Sequence, residues 1–163
     1  MESERLTRNE EGPRMNRALV FVAILAVAVA AFASPAMAKG TVGLRGGFSL
    51  DPDDFLIGLH FKSDPLGEDL YLVPSVEAGF GDITWIGGNV DLHYVFNTSS
   101  EKKPYIGGGG TLNWFDSDGG DDDLEFGGSV LGGLKLNQKL FLEAKIGLGD
   151  VPDWKFVVGV NMR

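Results

Sequence analysis

Residues 139–148 read KLFLEAKIGL, and apolar side chains occupy every second position of this run. Leu140, Leu142 and Ala144 fall on one face, whereas Glu143 and Lys145 fall on the other. A period of two predicts a β-strand with one apolar and one polar face. The run is also about ten residues long, which is the length that a tilted strand needs to cross a hydrocarbon core.

Seven other runs share this pattern, and short segments rich in Asp, Asn, Gly, Pro or Ser separate them, as expected of turns. The eight predicted strands are 41–50, 54–62, 69–80, 83–96, 104–115, 123–136, 139–148 and 154–163. The connections are too short to hold a crossover helix, so neighbouring strands must be antiparallel. An even number of such strands closes most simply as a barrel without exposed edges. We therefore predict an all-β fold, an eight-stranded antiparallel up-and-down β-barrel.

The chain begins with an apolar segment of a different kind. Residues 18–33 read ALVFVAILAVAVAAFA, follow Arg17 and run into Ala36-Met37-Ala38. A basic start, a short apolar stretch and a small-x-small site predict a secretory signal peptide cleaved after Ala38. The stretch is shorter than the roughly 20 residues of a membrane-spanning helix. An uncleaved N-terminal anchor helix remains the alternative.

The first fourteen residues contain four acidic side chains, which do not suit the basic start of a signal peptide. The sequence therefore favours Met15 as the true start. The expected organisation is a signal peptide over residues 1–38 and one β-barrel domain over residues 39–163.

The composition excludes several classes of protein. The chain has 163 residues, a net charge of −9, 24 glycines and no cysteine. A strongly acidic chain lacks the clustered cations that a nucleic-acid partner requires. Without cysteine there is no disulfide framework, thiol nucleophile or cysteine-based metal site.

Alternation does not decide which face of the barrel meets solvent. A soluble barrel has its apolar face inside, whereas a transmembrane barrel has an apolar belt against lipid and a polar lumen. The polar face carries charges of both signs, which would pair in a narrow lumen, and Arg45 and Lys155 are placed to meet Glu143. The predicted lumen charges are Arg45, Lys62, Glu77, Asp91, Glu125, Lys135, Glu143, Lys145 and Lys155.

Aromatic residues on the apolar face collect near the strand ends, with aliphatic residues between them. This distribution is typical of the aromatic girdles at the two interfaces of a membrane barrel. The predicted girdle at the end opposite the N-terminus is Phe48, Phe55, Phe80, Trp114, Phe126, Trp154 and Phe156. The predicted girdle at the N-terminal end is Phe61, Tyr94 and Phe96.

The signal peptide, the eight runs, their parity and the girdles together resemble the small eight-stranded outer-membrane β-barrels of Gram-negative bacteria, the group of the OmpA transmembrane domain and OmpX. The resemblance implies a transmembrane barrel in the cell outer membrane, with a structural or surface-interaction role. It also implies outer-membrane lipid, lipopolysaccharide and the barrel-assembly machinery as partners. The oligomeric state is left open.

The chain departs from the family in two respects. Family members usually end in an aromatic residue, whereas this chain ends Val160-Asn161-Met162-Arg163. The family's outward loops are often long, whereas the connections here are short and leave little surface for a large partner.

Two alternatives belong to other functional classes. The first is a soluble periplasmic β-barrel that binds a small apolar ligand in its interior. The second is an outer-membrane lipid-modifying enzyme, which needs a histidine, a serine and an acid within hydrogen-bond reach. His60 and His93 both fall on the polar face, whereas such barrels have their catalytic residues on the lipid-facing surface. We therefore predict no catalytic residue and no cofactor.

Two motifs invite a ligand interpretation. Residues 116–123 read DSDGGDDD, and such oxygen ligands suit calcium, but their spacing is not that of an EF-hand. A solvated acidic turn is the favoured interpretation, so we predict no metal site, and calcium stays the alternative. Residues 107–110 are four glycines, but the lysine and helix of a phosphate-binding loop do not follow them. An eight-stranded barrel is only wide enough inside for side chains, so we expect a filled lumen rather than an open pore.

Overall fold

The computed structural model describes residues 40–50, 53–81, 84–116 and 123–162. Eight strands lie in this part of the chain, and each predicted boundary is within one residue of the observed one. The strands are β1 (Thr41–Leu50), β2 (Asp53–Lys62), β3 (Leu70–Gly81), β4 (Thr84–Val95), β5 (Lys103–Asp116), β6 (Asp123–Lys135), β7 (Leu140–Gly149) and β8 (Trp154–Met162). The described ranges contain no helix of the length and apolarity needed to cross a membrane. The predicted signal peptide and residues 117–122 of the acidic turn lie outside these ranges.

The eight strands form one closed antiparallel barrel, which confirms the predicted fold. Each strand pairs with the next, and β8 pairs back with β1 from Val42–Met162 to Ser49–Lys155. Two mouths result. The terminal mouth is the end at which β1 begins and β8 ends, and it carries connections 63–69, 96–102 and 136–139. The distal mouth is the opposite end.

Large apolar side chains cover the outside of this barrel. Phe55 is 71% exposed and Phe126 is 73% exposed, values typical of charged surface residues in a soluble protein. Outward positions from Ile86 to Phe96 span ten residues, which corresponds to roughly 25 Å of barrel height at ~3.3 Å per residue and ~40° tilt. The outer apolar belt is therefore about as tall as that of a membrane barrel.

The inside of the barrel contains charged groups and, in addition, an apolar cluster that the parity analysis did not predict. Its buried members are Leu56, Trp85, Val95, Tyr105, Phe115, Leu131, Phe141 and Val157. They share the inward parity of the charged residues, so the lumen is partly an ordinary hydrophobic core.

Inward glycines make room for the largest of these side chains. A Cβ atom on Gly79 would lie 2.0 Å from Trp85 Nε1, and one on Gly133 would lie 2.1 Å from Tyr105 Cζ. In each case the glycine and the large residue are direct partners on adjacent strands. The same arrangement recurs at Gly43 with His60, Gly87 with Asn113 and Gly159 with Phe141. A large side chain thus covers the backbone of a glycine across the strand pair, which gives five of the 24 glycines a packing role.

Candidate functional site in the barrel interior

Arg45 of β1 lies between two carboxylates at the centre of the lumen. Its Nη2 donates to Glu143 Oε1 at 2.5 Å, and its Nε lies 3.2 Å from Glu77 Oε1. Lys155 approaches Glu77 from the other side, with Nζ donating to Oε2 at 3.1 Å. The planar guanidinium fork suits such bridging between two acids. These pairs connect β1, β3, β7 and β8 through the middle of the barrel.

A second pair continues this network on the other side. Lys145 Nζ donates to Asp91 Oδ2 at 2.6 Å, and Ser129 Oγ donates to Asp91 Oδ1 at 3.3 Å. Tyr105 donates its hydroxyl to Glu143 Oε2 at 3.0 Å, on the side of this carboxylate away from Arg45 Nη2's partner oxygen Oε1. We call Arg45, Glu77, Asp91, Glu143, Lys145 and Lys155 the central ion-pair cluster. Its three cations balance its three carboxylates, as buried charges require.

Neutral and aromatic groups extend the filling toward the distal mouth. Thr111 Oγ1 donates to Asn89 Oδ1 at 2.8 Å, and Asn89 Nδ2 donates to Ser75 Oγ at 3.2 Å. Further along, Trp85 Nε1 donates to Asp54 Oδ2 at 3.0 Å. Side chains from all eight strands therefore meet across the lumen.

The terminal mouth differs, because it opens into a cavity of about 310 Å³. The side chains around the cavity are mostly basic or amide-bearing. They are Thr41, Lys62, Glu101, Lys103, Lys135, Asn137, Gln138, Lys139 and Asn161. Two ammonium groups lie over one aromatic ring, with Lys62 Nζ 3.7 Å and Lys135 Nζ 4.9 Å from the centre of Tyr71.

Both histidines are buried beneath this cavity. His60 Nε2 lies 2.9 Å from Asn161 Oδ1, and the His93 ring stacks on Tyr105 with centroids 4.9 Å apart. His93 Nε2 is 3.7 Å from Glu143 Oε2. Within the described residues, neither histidine has a hydrogen bond to a serine. The arrangement is that of packed lumen groups rather than of a nucleophile and its base.

The nine predicted lumen charges occupy three levels of the barrel. Six of them form the central ion-pair cluster. Lys62 and Lys135 lie at the terminal mouth instead. Glu125 is half-buried opposite Asn113, toward the distal mouth. One expected contact differs, because Arg45 reaches Glu143 but Lys155 contacts Glu77. The cause is the stagger between strands, which sets the height of each side chain along the barrel axis. Parity predicts the face on which a side chain lies but not this height.

Several predicted girdle residues form a continuous band. Phe156, Phe48, Phe55 and Phe80 are successive register partners on β8, β1, β2 and β3. Other girdle residues pair along their own strand or at its end. Trp154 stacks on Phe156 with centroids 6.3 Å apart, and Tyr94 meets Phe96 edge to face at 5.3 Å.

Two predicted girdle residues are buried, unlike the others. Trp114 is only 7% exposed because it packs with Ile86 and Leu112 on the same outer face. Phe61 is only 6% exposed, and the chain just before β1 lies against it, since a Cβ on Gly40 would be 2.1 Å from its ring. Neither side chain is part of the exposed belt.

Sequence reasoning also missed part of the interior. Trp85, Tyr105 and Phe141 have the parity of the acidic residues, which is the signal that could have identified them as inward. Lys103 lies outside its predicted strand and Lys139 is the first residue of its run, and alternation alone does not show that such end positions border a cavity.

Solved structures of small outer-membrane barrels share this fold. The N-terminal β-barrel domain of Pseudomonas aeruginosa OprF superposes with a TM-score of 0.55 at 20% identity, over 76% of this chain and 100% of that chain. Neisserial surface protein A superposes with a TM-score of 0.52 at 19% identity, over 76% of this chain and 93% of that chain. No protein-family model and no curated protein sequence matches the chain. The resemblance predicted from the sequence is thus confirmed at the level of the fold, a closed eight-stranded barrel of the outer-membrane type.

Proposed function

We propose that this chain is an integral β-barrel of the cell outer membrane, with a charged and filled lumen and a structural or surface-interaction role. The observation that carries the proposal is the inverted distribution of side chains. Phenylalanine and aliphatic residues cover the outside, whereas three cations and three carboxylates are buried inside. In water the apolar outside would cost free energy, whereas in a bilayer it is favourable, and the enclosed charges are paired with each other in either setting.

The same distribution argues against a soluble barrel for apolar ligands. Such a barrel needs an apolar cavity, whereas ion pairs and packed aromatic residues fill the middle of this one. Its apolar residues would also form an exposed patch far larger than a monomeric soluble protein tolerates.

A closed lumen is part of the proposal. Arg45 of β1 reaches β3 and β7 across the axis, and Lys145 with Asp91 connects β7 with β4. Moving these groups apart would leave buried charges without partners, at a cost of several kcal/mol each. We therefore expect no ion conductance above background in a planar bilayer.

The proposed role involves no catalysis, because both histidines are packed inside the barrel. Lipid and lipopolysaccharide are the proposed partners of the outer belt. The barrel-assembly machinery is the proposed partner during insertion.

Fractionation of the natively expressed protein tests the membrane assignment. We expect it to remain in the envelope pellet through urea and carbonate washes and to be released only by detergent. Recovery in osmotic-shock fluid or in the washes would contradict the proposal.

A pair of variants sharpens this test. Ile57→Lys introduces a charge on the outer face of the barrel, at the middle of β2. Leu66→Lys introduces one in an exposed connection of the terminal mouth. If the belt faces lipid, only Ile57→Lys lowers the yield of folded barrel in phospholipid vesicles, measured by the shifted mobility of unheated protein on SDS gels. Equal yields would show that the outer face is in water.

A further inference from the structure

Four lysines surround the cavity at the terminal mouth, and no carboxylate of the described residues lies within ion-pair distance of them. Each cation of the central ion-pair cluster has a carboxylate oxygen within 3.2 Å. In contrast, Lys62, Lys103, Lys135 and Lys139 form no ion pair within 4.0 Å in the part of the chain that the structure describes. The whole chain carries a charge of −9, so an excess of lysine does not explain this gathering.

The backbone register forces these charges together. Lys103 and Lys135 are direct partners on β5 and β6, where like charges repel each other. Lys62 and Lys135 share the face of Tyr71, which attracts cations but supplies no negative charge. Among the described residues lining the cavity, Glu101 is the one acid, and its side chain is exposed at the rim.

The uncharged lining groups suit the same kind of ligand. Thr41 contributes a hydroxyl, and Asn137, Gln138 and Asn161 contribute amides, all of which donate hydrogen bonds to anionic oxygens. Ammonium groups bind phosphate as point charges and do not need a planar partner. A cavity of about 310 Å³ has the volume of roughly ten water molecules, which accommodates a diphosphate-sized anion with some of its hydration.

We propose that the terminal mouth is a binding site for a soluble, phosphate-bearing anion of about diphosphate size. The lining side chains belong to the inner face and to the connections around it, so the anion enters from water along the barrel axis. The site requires only the barrel fold and does not depend on where the barrel resides.

Calorimetric titration of the refolded full chain with inorganic pyrophosphate, in zwitterionic micelles at low salt, tests the proposal. We expect saturable binding by the unmodified chain. Each lysine replaced should weaken binding about tenfold, the size of one charge-assisted hydrogen bond. The Lys62→Gln/Lys135→Gln variant should therefore bind about a hundredfold more weakly, and Lys135→Gln alone about tenfold more weakly.

Lys102→Gln is the matched control, because Lys102 is exposed at the same end but does not line the cavity. It should bind pyrophosphate as the unmodified chain does. Mobility of unheated protein on SDS gels verifies that each variant is folded. If the double variant does not fold, the comparison is made with the Lys135→Gln variant alone. Absence of saturable binding, or an equal loss in Lys102→Gln, would overturn the proposal, since the latter would mean diffuse attraction only.

Discussion

The cationic side chains inside the barrel differ in their partners according to their depth along its axis. In the centre, Arg45, Lys145 and Lys155 are fully enclosed, and each contacts a carboxylate. At the terminal mouth, Lys62 and Lys135 are half-buried and have no such partner in the described part of the chain. Burial explains the difference, because an enclosed charge without a partner is costly, whereas water screens one at a mouth. The central charges are therefore paired within the barrel, whereas the mouth charges are the ones that the proposed anion would contact.

Removing the central cation should have the largest effect. Arg45→Met leaves Glu143 and Glu77 with fewer partners in an enclosed site, so we expect the free energy of unfolding to fall by about 3–5 kcal/mol. Urea unfolding in phospholipid vesicles, followed by tryptophan fluorescence, measures it. Arg45→Lys keeps the charge but not the fork and should lose less. A loss below ~1 kcal/mol for Arg45→Met would mean that the centre is solvated like the mouth.

The second cation of the cluster allows a double-mutant cycle. Lys145→Met and Asp91→Leu each leave one buried charge unpaired, whereas the double variant removes both. We expect a coupling energy of about 2–3 kcal/mol, so that the double variant loses that much less stability than the sum of the two single losses. Additive losses in the same unfolding assay would show that this 2.6 Å pair is energetically independent.

Replacing a glycine that lies between the central ion-pair cluster and the terminal mouth should have an intermediate effect on stability. Gly133→Ala places a methyl group against the Tyr105 ring, and the Tyr105 hydroxyl is hydrogen-bonded to Glu143. We therefore expect the free energy of unfolding to fall by about 1–3 kcal/mol. The adjacent Gly132→Ala is the control, because a Cβ there meets no atom within 4 Å. Equal stabilities of the two variants, measured side by side, would contradict the packing role given to inward glycines.

The smallest expected change is a gain in stability rather than a loss. Lys135→Gln removes one of two facing lysines, so we expect the anion-free barrel to gain about 0.5 kcal/mol at low ionic strength. The gain should shrink as salt is added, and Lys102→Gln should change nothing. A clear loss of stability in the Lys135→Gln variant would instead mean that Lys135 stabilises the fold, as the lysines of the central ion-pair cluster do.

Strand positions were predictable because each one depends on local chemistry. The alternation in KLFLEAKIGL and the Asn137-Gln138 turn before it are enough to place β7. Parity also assigned the cluster residues to one face. Their pairing was not predictable, since Arg45 and Glu143 are 98 residues apart and meet only through the stagger of a closed barrel. The mouth cavity was missed for a related reason: strand-end and connection residues such as Lys103 and Lys139 come together only when the barrel closes.

The pairing of β1 with β8 also imposes an order in time. Ladder partners such as Val42 and Met162 come from opposite ends of the chain, so the earliest strand waits for the latest one. Until residues 154–162 have been synthesised, β1 has an open edge that invites pairing with other chains. Closure of this barrel therefore has to wait until β8 has been synthesised, even where consecutive strands have already paired.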